Sequence, residues 1–203
     1  MADTAGGKLL KRPERRRALI AAAARAFSRG GFAATSLEDV ASEAGVSRVL
    51  IYRHFESKTE LYEAVLMDVG DQLRRATGGP DQLTPGSLGG LVAVARDNPD
   101  GFRLFFRHSS QEPEFRRHAD ELQAAMAATA EPYLREALPD EAGLRWAAQL
   151  VPIVAIEAVI AWLDAGQPQP QTAVATIGQI IGGVVSAIGG TGQPAARRGE
   201  TDA

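Results

Sequence analysis

The 203-residue chain contains no cysteine. This absence excludes disulfide bonds, zinc sites built on thiolates and cysteine nucleophiles. A long apolar run is also missing, because the longest one, Val151 to Leu163, is interrupted by Pro152 and Glu157 and falls short of the roughly 20 residues that span a bilayer. The basic residues near the start precede no signal-peptide core. We therefore expect a soluble cytoplasmic protein without a membrane partner.

Alternating patterns typical of β-strands are scarce, whereas apolar residues recur with the 3.6-residue period of helices. The sequence therefore predicts an all-α protein of about nine helices. Gly30-Gly31 is predicted to end the first helix, and both Thr35-x-x-Glu38 and Ser36-x-x-Asp39 resemble capping boxes for the second. The predicted helices cover residues 15–29, 36–45, 47–54, 57–76, 86–97, 99–109, 113–137, 140–165 and 171–189.

Charge is divided unevenly along the chain. Residues 1–60 hold eleven basic and seven acidic residues, a net of +4, whereas the remainder carries a net of −7. A basic N-terminal segment followed by an acidic remainder indicates that the N-terminal segment binds a polyanion such as nucleic acid. The alternative is that the basic residues are simply exposed to solvent.

Two short predicted helices are separated by Gly45, and the second begins with Ser47-Arg48. Two short helices separated by a glycine are typical of a helix-turn-helix. Ala41 suits the point where two helices cross, and Ile51 suits an anchor in the core. Any pair of antiparallel helices would share part of this pattern.

The run from residue 15 to residue 69 contains a recognisable set of residues: Phe27, Gly31-Phe32, Thr35-Ser36, Val40-Ala41, Ala44 to Ser47, Tyr52, His54-Phe55, Lys58 and Leu61. With these residues the run resembles the DNA-binding domain of the TetR family of transcriptional regulators. The resemblance implies a three-helix helix-turn-helix domain over residues 13–60 and a helical bundle for ligand binding and dimerisation over residues 61–189. It implies no enzymatic activity and no cofactor. Composition predicts a flexible basic arm over residues 1–12 and a disordered tail over residues 190–203.

The resemblance also assigns the DNA-binding residues. It places residues 47–54 in the major groove, where the planar fork of Arg48 can bond guanine O6 and N7 together. Leu50 stands where smaller residues are common in the family, and it is expected to contact a thymine methyl group or to shape the groove surface. The other members of the set are expected mainly at phosphates. The full set is Thr35, Ser36, Ser47, Arg48, Leu50, Tyr52, Arg53, His54 and Lys58.

Aromatic and methionine side chains recur in the C-terminal two-thirds of the chain. Such stripes are usually core, but in TetR-like regulators this region encloses a small-molecule pocket, and such side chains suit a mostly hydrophobic ligand. Glu157 could be a ligand handle, an interface bond or an exposed edge. The predicted pocket residues are Phe102, Phe105, Phe106, Met126, Tyr133, Trp146 and Glu157.

The last two predicted helices are apolar nearly all round. One subunit can hardly cover both, and the resemblance implies a homodimer joined through them as a four-helix bundle. The predicted interface residues are Val154, Ile177, Ile181, Gly182 and Val185. The expected function is a repressor that binds a palindromic DNA operator as a dimer and is released by a small-molecule effector.

Two rival functions remain open. Glu114 and His118 have the spacing of metal ligands on a helix, which would suit a helical metalloenzyme. Solvated charge explains them more simply, and we predict no metal. The second rival is a DNA-binding regulator without an effector.

Overall fold

The computed structural model describes residues 11–78, 84 and 86–190. Within these residues the secondary structure is helical and no strand is present, which confirms the predicted all-α class. The predicted tail, apart from residue 190, and all but residues 11 and 12 of the predicted basic arm lie outside the described residues.

Nine α-helices follow one another in the described part of the chain. The helix α6 continues into a π-helical turn, Leu104–His108, and a short 3-10 turn, Ser109–Gln111. The prediction of a helix start at residue 113 is wrong, because hydrogen-bonded turns precede Arg117. The bounds are α1 Arg12–Ala34, α2 Leu37–Ala44, α3 Arg48–Tyr52, α4 Lys58–Thr77, α5 Ser87–Asp97, α6 Pro99–Arg103, α7 Arg117–Leu134, α8 Glu141–Asp164 and α9 Ala173–Gly190.

The first helix bends at Gly31. The predicted end of the regular helix at Gly30-Gly31 is confirmed, because Gly31 leaves the helical conformation with φ 71° and ψ 178°, and a further helical turn then continues to Ala34. A positive φ of this kind costs glycine little and other residues much. The bend brings the ring of Phe32 to 5.1 Å from the ring of Tyr62, so the extra turn is held by aromatic packing.

The chain divides into two compact units. The first contains the described residues up to Leu73 together with Asp97–Asp120. The predicted boundaries assign residues 97–120 to the C-terminal domain, yet they lie in this first unit. Their Phe115 ring packs 4.5 Å from the ring of Tyr62 and 4.9 Å from that of Phe32.

The second unit contains Arg74–Arg96 and the described residues from Glu121 onward. Its helices α8 and α9 pack on each other around Leu144, Ala147 and Ile188. Both helices are long and apolar enough to cross a membrane by length and composition, a test that core helices also pass. Half of the most apolar window of α8 is buried in the chain, against 17% of that of α9. Most residues in that window of α9 are therefore not buried within a single chain.

Candidate nucleic-acid interface

The helix α2 begins at a capping box. The backbone N–H of Asp39 donates to the Ser36 hydroxyl oxygen over 3.1 Å, and the Asp39 carboxylate accepts from the Ser36 backbone N–H over 2.8 Å. The Ser36 hydroxyl also donates to that carboxylate over 2.6 Å. These bonds, the side-chain one first, hold the pKa of Asp39 below its ordinary value. Of the two capping boxes that the sequence offers, Ser36-x-x-Asp39 caps α2, and Thr35-x-x-Glu38 does not.

A tight turn joins α2 to α3. Gly45 adopts the left-handed conformation with φ 63° and ψ 35°, and its N–H donates to the carbonyl oxygen of Ala41. The next N–H, that of Val46, donates to the same carbonyl over 3.0 Å. Val40 and Ile51 are fully buried. This geometry is the predicted helix-turn-helix, with α3 as its second helix.

Arg48 and Tyr52 contact each other on the exposed face of α3, where Val49 is also exposed. The Arg48 guanidinium donates to the Tyr52 hydroxyl over 2.9 Å and lies 5.4 Å from the centroid of its ring. Arg48 is exposed, and Tyr52 is 46% exposed. The α-helix is shorter than predicted, because it ends at Tyr52 and the chain closes a turn in which the Phe55 N–H bonds the Ile51 carbonyl over 3.0 Å. Arg48, which is predicted to contact bases, is therefore held in place by Tyr52, one helical turn later.

A cleft of about 430 Å³ lies between the start of α2, the face of α3 and the start of α4. The cap residues of two helices line it, since Ser57 accepts the Glu60 backbone N–H over 3.0 Å as Ser36 accepts that of Asp39. Exposed N–H groups at helix N-termini bind anions such as phosphate. The cleft is lined by Ser36, Leu37, Glu38, Arg48, Tyr52, Glu56, Ser57 and Lys58.

Lys58 is engaged within the chain. Its ammonium donates to the carbonyl oxygens of Phe32 over 2.9 Å and Thr35 over 3.1 Å. It also lies 4.3 Å from the centroid of the Phe32 ring. Cations stabilise the carbonyl end of a helix in this way. Instead of reaching out to a phosphate, as the sequence predicts, Lys58 fastens α4 to the bent end of α1.

Thr35 also has a structural role. It is 5% exposed, and its hydroxyl donates to the Ala26 carbonyl over 3.4 Å. The prediction that Thr35 donates to phosphate is wrong for this conformation, because its donor is buried against α1. The other predicted contacts Ser47, Arg53 and Tyr52 are exposed, and Leu50 is half-buried.

Glu43 joins α2 to α1. Its carboxylate accepts from Arg25 over 2.6 Å and from Arg29 over 2.5 Å. The hydrogen bonds from these two arginines hold the pKa of Glu43 below its ordinary value. Because α2 carries the turn to α3, this pairing helps to set the position of the reading helix on α1.

His54 follows α3 and is surrounded by positive charge that the sequence analysis did not assign. Burial first, and then the charges of Arg12, Arg16 and Arg15, lower the pKa of the imidazole. The Arg16 guanidinium lies 4.8 Å from the centroid of the Phe55 ring. The first turns of α1 therefore lie beside the end of α3. The regular spacing of the arginines in residues 12–16 is the sequence pattern that could have identified them as part of the interface.

The predicted pocket residues are divided between the two units. Phe102, Phe105 and Phe106 belong to the first unit, where they are buried and pack on one another. Met126 in the second unit is half-buried.

Three other predicted pocket residues lie at the surface of the second unit. Trp146 is 59% exposed, and Tyr133 and Glu157 are also exposed. The helix α8 turns Leu144 and Ala147 inward, so Trp146 is directed to the other side. Tyr133, Trp146 and Glu157 are therefore not enclosed by the part of the chain that the structure describes, contrary to the expectation for pocket residues.

The predicted dimer residues also differ in burial. Val154, Ile181 and Val185 are half-buried and Gly182 is exposed. Ile177 is only 3% exposed, so it is already covered within the chain. The prediction that Ile177 contacts a partner is therefore wrong for this conformation.

The rival metal pair is not formed on a helix. Glu114 lies in the turn before α7, whereas His118 lies within it. No group of three or more potential metal-ligating side chains occurs in residues 11–78, 84 and 86–190.

Comparison with known proteins matches the part of the chain that contains the helix-turn-helix. Residues 19–65 match the family model of bacterial regulatory proteins of the tetR family. The chain is 34% identical over 109 residues to the HTH-type transcriptional activator FasR of Mycolicibacterium smegmatis, covering 50% of each protein. It is 44% identical over 75 residues to the HTH-type transcriptional regulator TtgR of Pseudomonas putida, covering 36% of each. The first match thus spans half of the length of FasR, and the second spans about a third of the length of TtgR.

Solved structures share the fold over most of the chain. A TetR-like transcriptional regulator from Rhodococcus sp. RHA1 aligns with a TM-score of 0.69 and 18% identity, covering 91% of this chain and all of that one. AmtR of Mycobacterium smegmatis aligns with a TM-score of 0.63 and 19% identity over 94% of this chain and 97% of its own. FadR of Bacillus subtilis, solved in complex with stearoyl-CoA, aligns with a TM-score of 0.59 and 17% identity over 84% and 97%.

Proposed function

Because the chain belongs to the TetR family of bacterial regulatory proteins through its domain at residues 19–65, we propose that it is a cytoplasmic transcriptional regulator that binds duplex DNA. The observation that carries this proposal is the Arg48–Tyr52 pair on the exposed face of α3. A helix of this kind enters the major groove, where an arginine reads guanine. The names of the relatives, transcriptional regulators with a helix-turn-helix, support it.

The test is selection of bound duplexes from a random pool by the full chain. The expected result is one enriched sequence with two-fold symmetry. A pool that shows no enrichment, or binding that is equal for all duplexes, would contradict the proposal. Sequencing the selected pool of an Arg48→Ala variant beside the wild type then identifies the base that this side chain reads.

The palindrome follows from a proposed homodimer. Only 17% of the most apolar window of α9 is buried, and Ile180 on this helix is 47% exposed. Ile153 on α8 is exposed as well. Apolar surface on this scale is typical of a subunit interface, and a two-fold dimer presents two copies of α3 to two half-sites.

We propose that the protein represses transcription and that a small, mostly hydrophobic effector relieves this repression. The complex of FadR with stearoyl-CoA supports an apolar ligand, whereas the name of FasR describes an activator. The test of direction is transcription in vitro from a promoter that carries the selected operator. A fall on addition of protein supports repression, and a rise contradicts it.

An effector-free regulator is the second candidate. The exposure of Trp146 and Tyr133 favours it, because these side chains do not enclose a ligand within the chain. A ligand acts as an effector only when it binds the two conformations unequally, and a coupling of about 1–3 kcal/mol would weaken operator binding about 5- to 150-fold. Operator affinity measured with and without stearoyl-CoA as the probe, and then with other acyl chains, separates the two candidates.

A further inference from the structure

Three arginines occupy one face of the first turns of α1. Arg12, Arg15 and Arg16 stand three and four residues apart, so their side chains share one side of the helix. Arg12 and Arg16 are exposed, and Arg15 is half-buried. We name these three residues the α1 arginine face.

This face is fixed against the end of α3. The Arg16 guanidinium lies 4.8 Å from the centroid of the Phe55 ring, and Phe55 is bound to α3 by its N–H bond to Ile51. All three arginines also lie close enough to His54 to act on its imidazole. The α1 arginine face and the exposed side of the recognition helix are therefore neighbours in one unit.

No carboxylate of the described residues forms an ion pair with Arg12, Arg15 or Arg16. Their charges repel each other, and the positive end of the α1 dipole repels them as well, since cations are unfavourable at a helix N-terminus. By contrast, Arg25 and Arg29 further along the same helix are paired with Glu43. Apart from the contact of Arg16 with Phe55, no stabilising interaction accounts for the charge of the α1 arginine face, and an external anion would.

We propose that the α1 arginine face is a second phosphate-binding surface, which holds the DNA backbone beside the major groove that α3 enters. This inference rests on the proposed function in duplex DNA. The backbone offers one negative charge about every 1.7 Å of the helix axis, and guanidinium groups bond phosphate oxygens in a fork geometry. Contacts of this kind position the protein and do not depend on base sequence.

The test compares a double variant, Arg12→Gln with Arg15→Gln, with the single variant Arg17→Gln. Arg16 is kept because its guanidinium packs on Phe55. Arg17 is the matched control, since it is exposed on the same helix but does not act on His54. Affinity is measured for the selected operator and for a scrambled duplex across a range of salt concentrations, and circular dichroism checks that each variant is folded.

The expected result is a smaller salt dependence. Each lost phosphate contact lowers the slope of log K against log salt by about 0.9, so the double variant should lose about 1.8 per protomer. Both duplexes should weaken by the same factor, and Arg17→Gln should change the slope much less. Equal slopes for the double variant and Arg17→Gln, while the wild type still prefers its operator, would overturn this inference alone. A wild type without any operator preference would instead overturn the proposed function.

Discussion

The Lys58 ammonium lies 2.9 Å from the carbonyl oxygen of Phe32, and it is stacked over the ring of the same residue at 4.3 Å. One side chain at the start of α4 thereby satisfies carbonyl groups where α1 bends and ends. A lysine at this position looks from the sequence like a phosphate ligand. In the structure it joins the helix that follows the helix-turn-helix to the helix that precedes it.

Lys58→Ala should therefore act on stability. Removal of a partly buried ammonium with two carbonyl partners should lower the free energy of unfolding by about 1–3 kcal/mol. The salt dependence of DNA binding should stay as in the wild type. Urea denaturation and binding at several salt concentrations measure the two quantities. Unchanged stability together with a reduced salt slope would restore the assignment of Lys58 to phosphate.

Arg48→Ala should relax base discrimination. The expected loss is roughly 1–3 kcal/mol at one position of each half-site, because the arginine fork contacts a base edge. Tyr52→Phe is the matched control, since it keeps the ring beside Arg48 and removes only the hydroxyl that accepts from it. It should weaken binding and keep the base preference. Competition between operators that differ at single positions measures both effects, and an Arg48→Ala variant with the wild-type preference would contradict the assignment.

Contacts between residues close in sequence were predictable. Ser36 and Asp39 are three residues apart, and Gly45 bonds a carbonyl four residues back. Residue type and spacing are enough for such local bonds, because the helix geometry brings the partners together. The all-α class followed from the 3.6-residue period of the apolar residues. The resemblance of residues 15–69 to a known domain added the helix-turn-helix, since its motif is made mostly of such local features.

Contacts between distant residues were not predictable. Lys58 meets Phe32 across 26 positions, and no pattern in the sequence specifies that pairing. The continuation of α1 past Gly31 depends on the same remote packing of Phe32 on Tyr62. The exposure of Trp146 likewise depends on which side of an almost wholly apolar helix meets its neighbour. When nearly every position of a helix is apolar, the period of its apolar residues does not show which side faces the core.

Ile180→Glu should separate the proposed dimer. Ile180 is 47% exposed in the single chain, so a carboxylate there leaves its own unit folded but puts a charge into the proposed interface. Light scattering at micromolar concentration should give a dimer for the wild type and a monomer for the variant. Met67→Glu is the matched control, because Met67 is exposed on α4 in the other unit. A wild-type monomer would contradict the dimer and remove the reason for a palindrome.

His108 should make the stability of the protein fall in mild acid. Burial first, and then the charge of Arg107, lower the pKa of its imidazole, although a hydrogen bond with the Ser28 backbone acts in the opposite direction. Its ordinary pKa is 6.5, so the unfolded chain takes up a proton near that pH while the folded chain does not. The free energy of unfolding is then highest above the ordinary pKa and falls as the pH drops from there toward the lowered one.

The measurement is the thermal midpoint of wild type and His108→Gln between about pH 7.5 and 5.5. The wild-type midpoint should fall over this interval, and the variant should fall less because it cannot take up the proton. His54 contributes with the same sign, since burial and the α1 arginine face lower its pKa too, so His54→Gln should give a further reduction when the two variants are combined. An unchanged pH dependence in the double variant would contradict the assignment to these imidazoles. The carboxylates of Asp39 and Glu43 cannot account for such a result, because their lowered pKa values remove stability only below their ordinary values near pH 4, outside the measured interval.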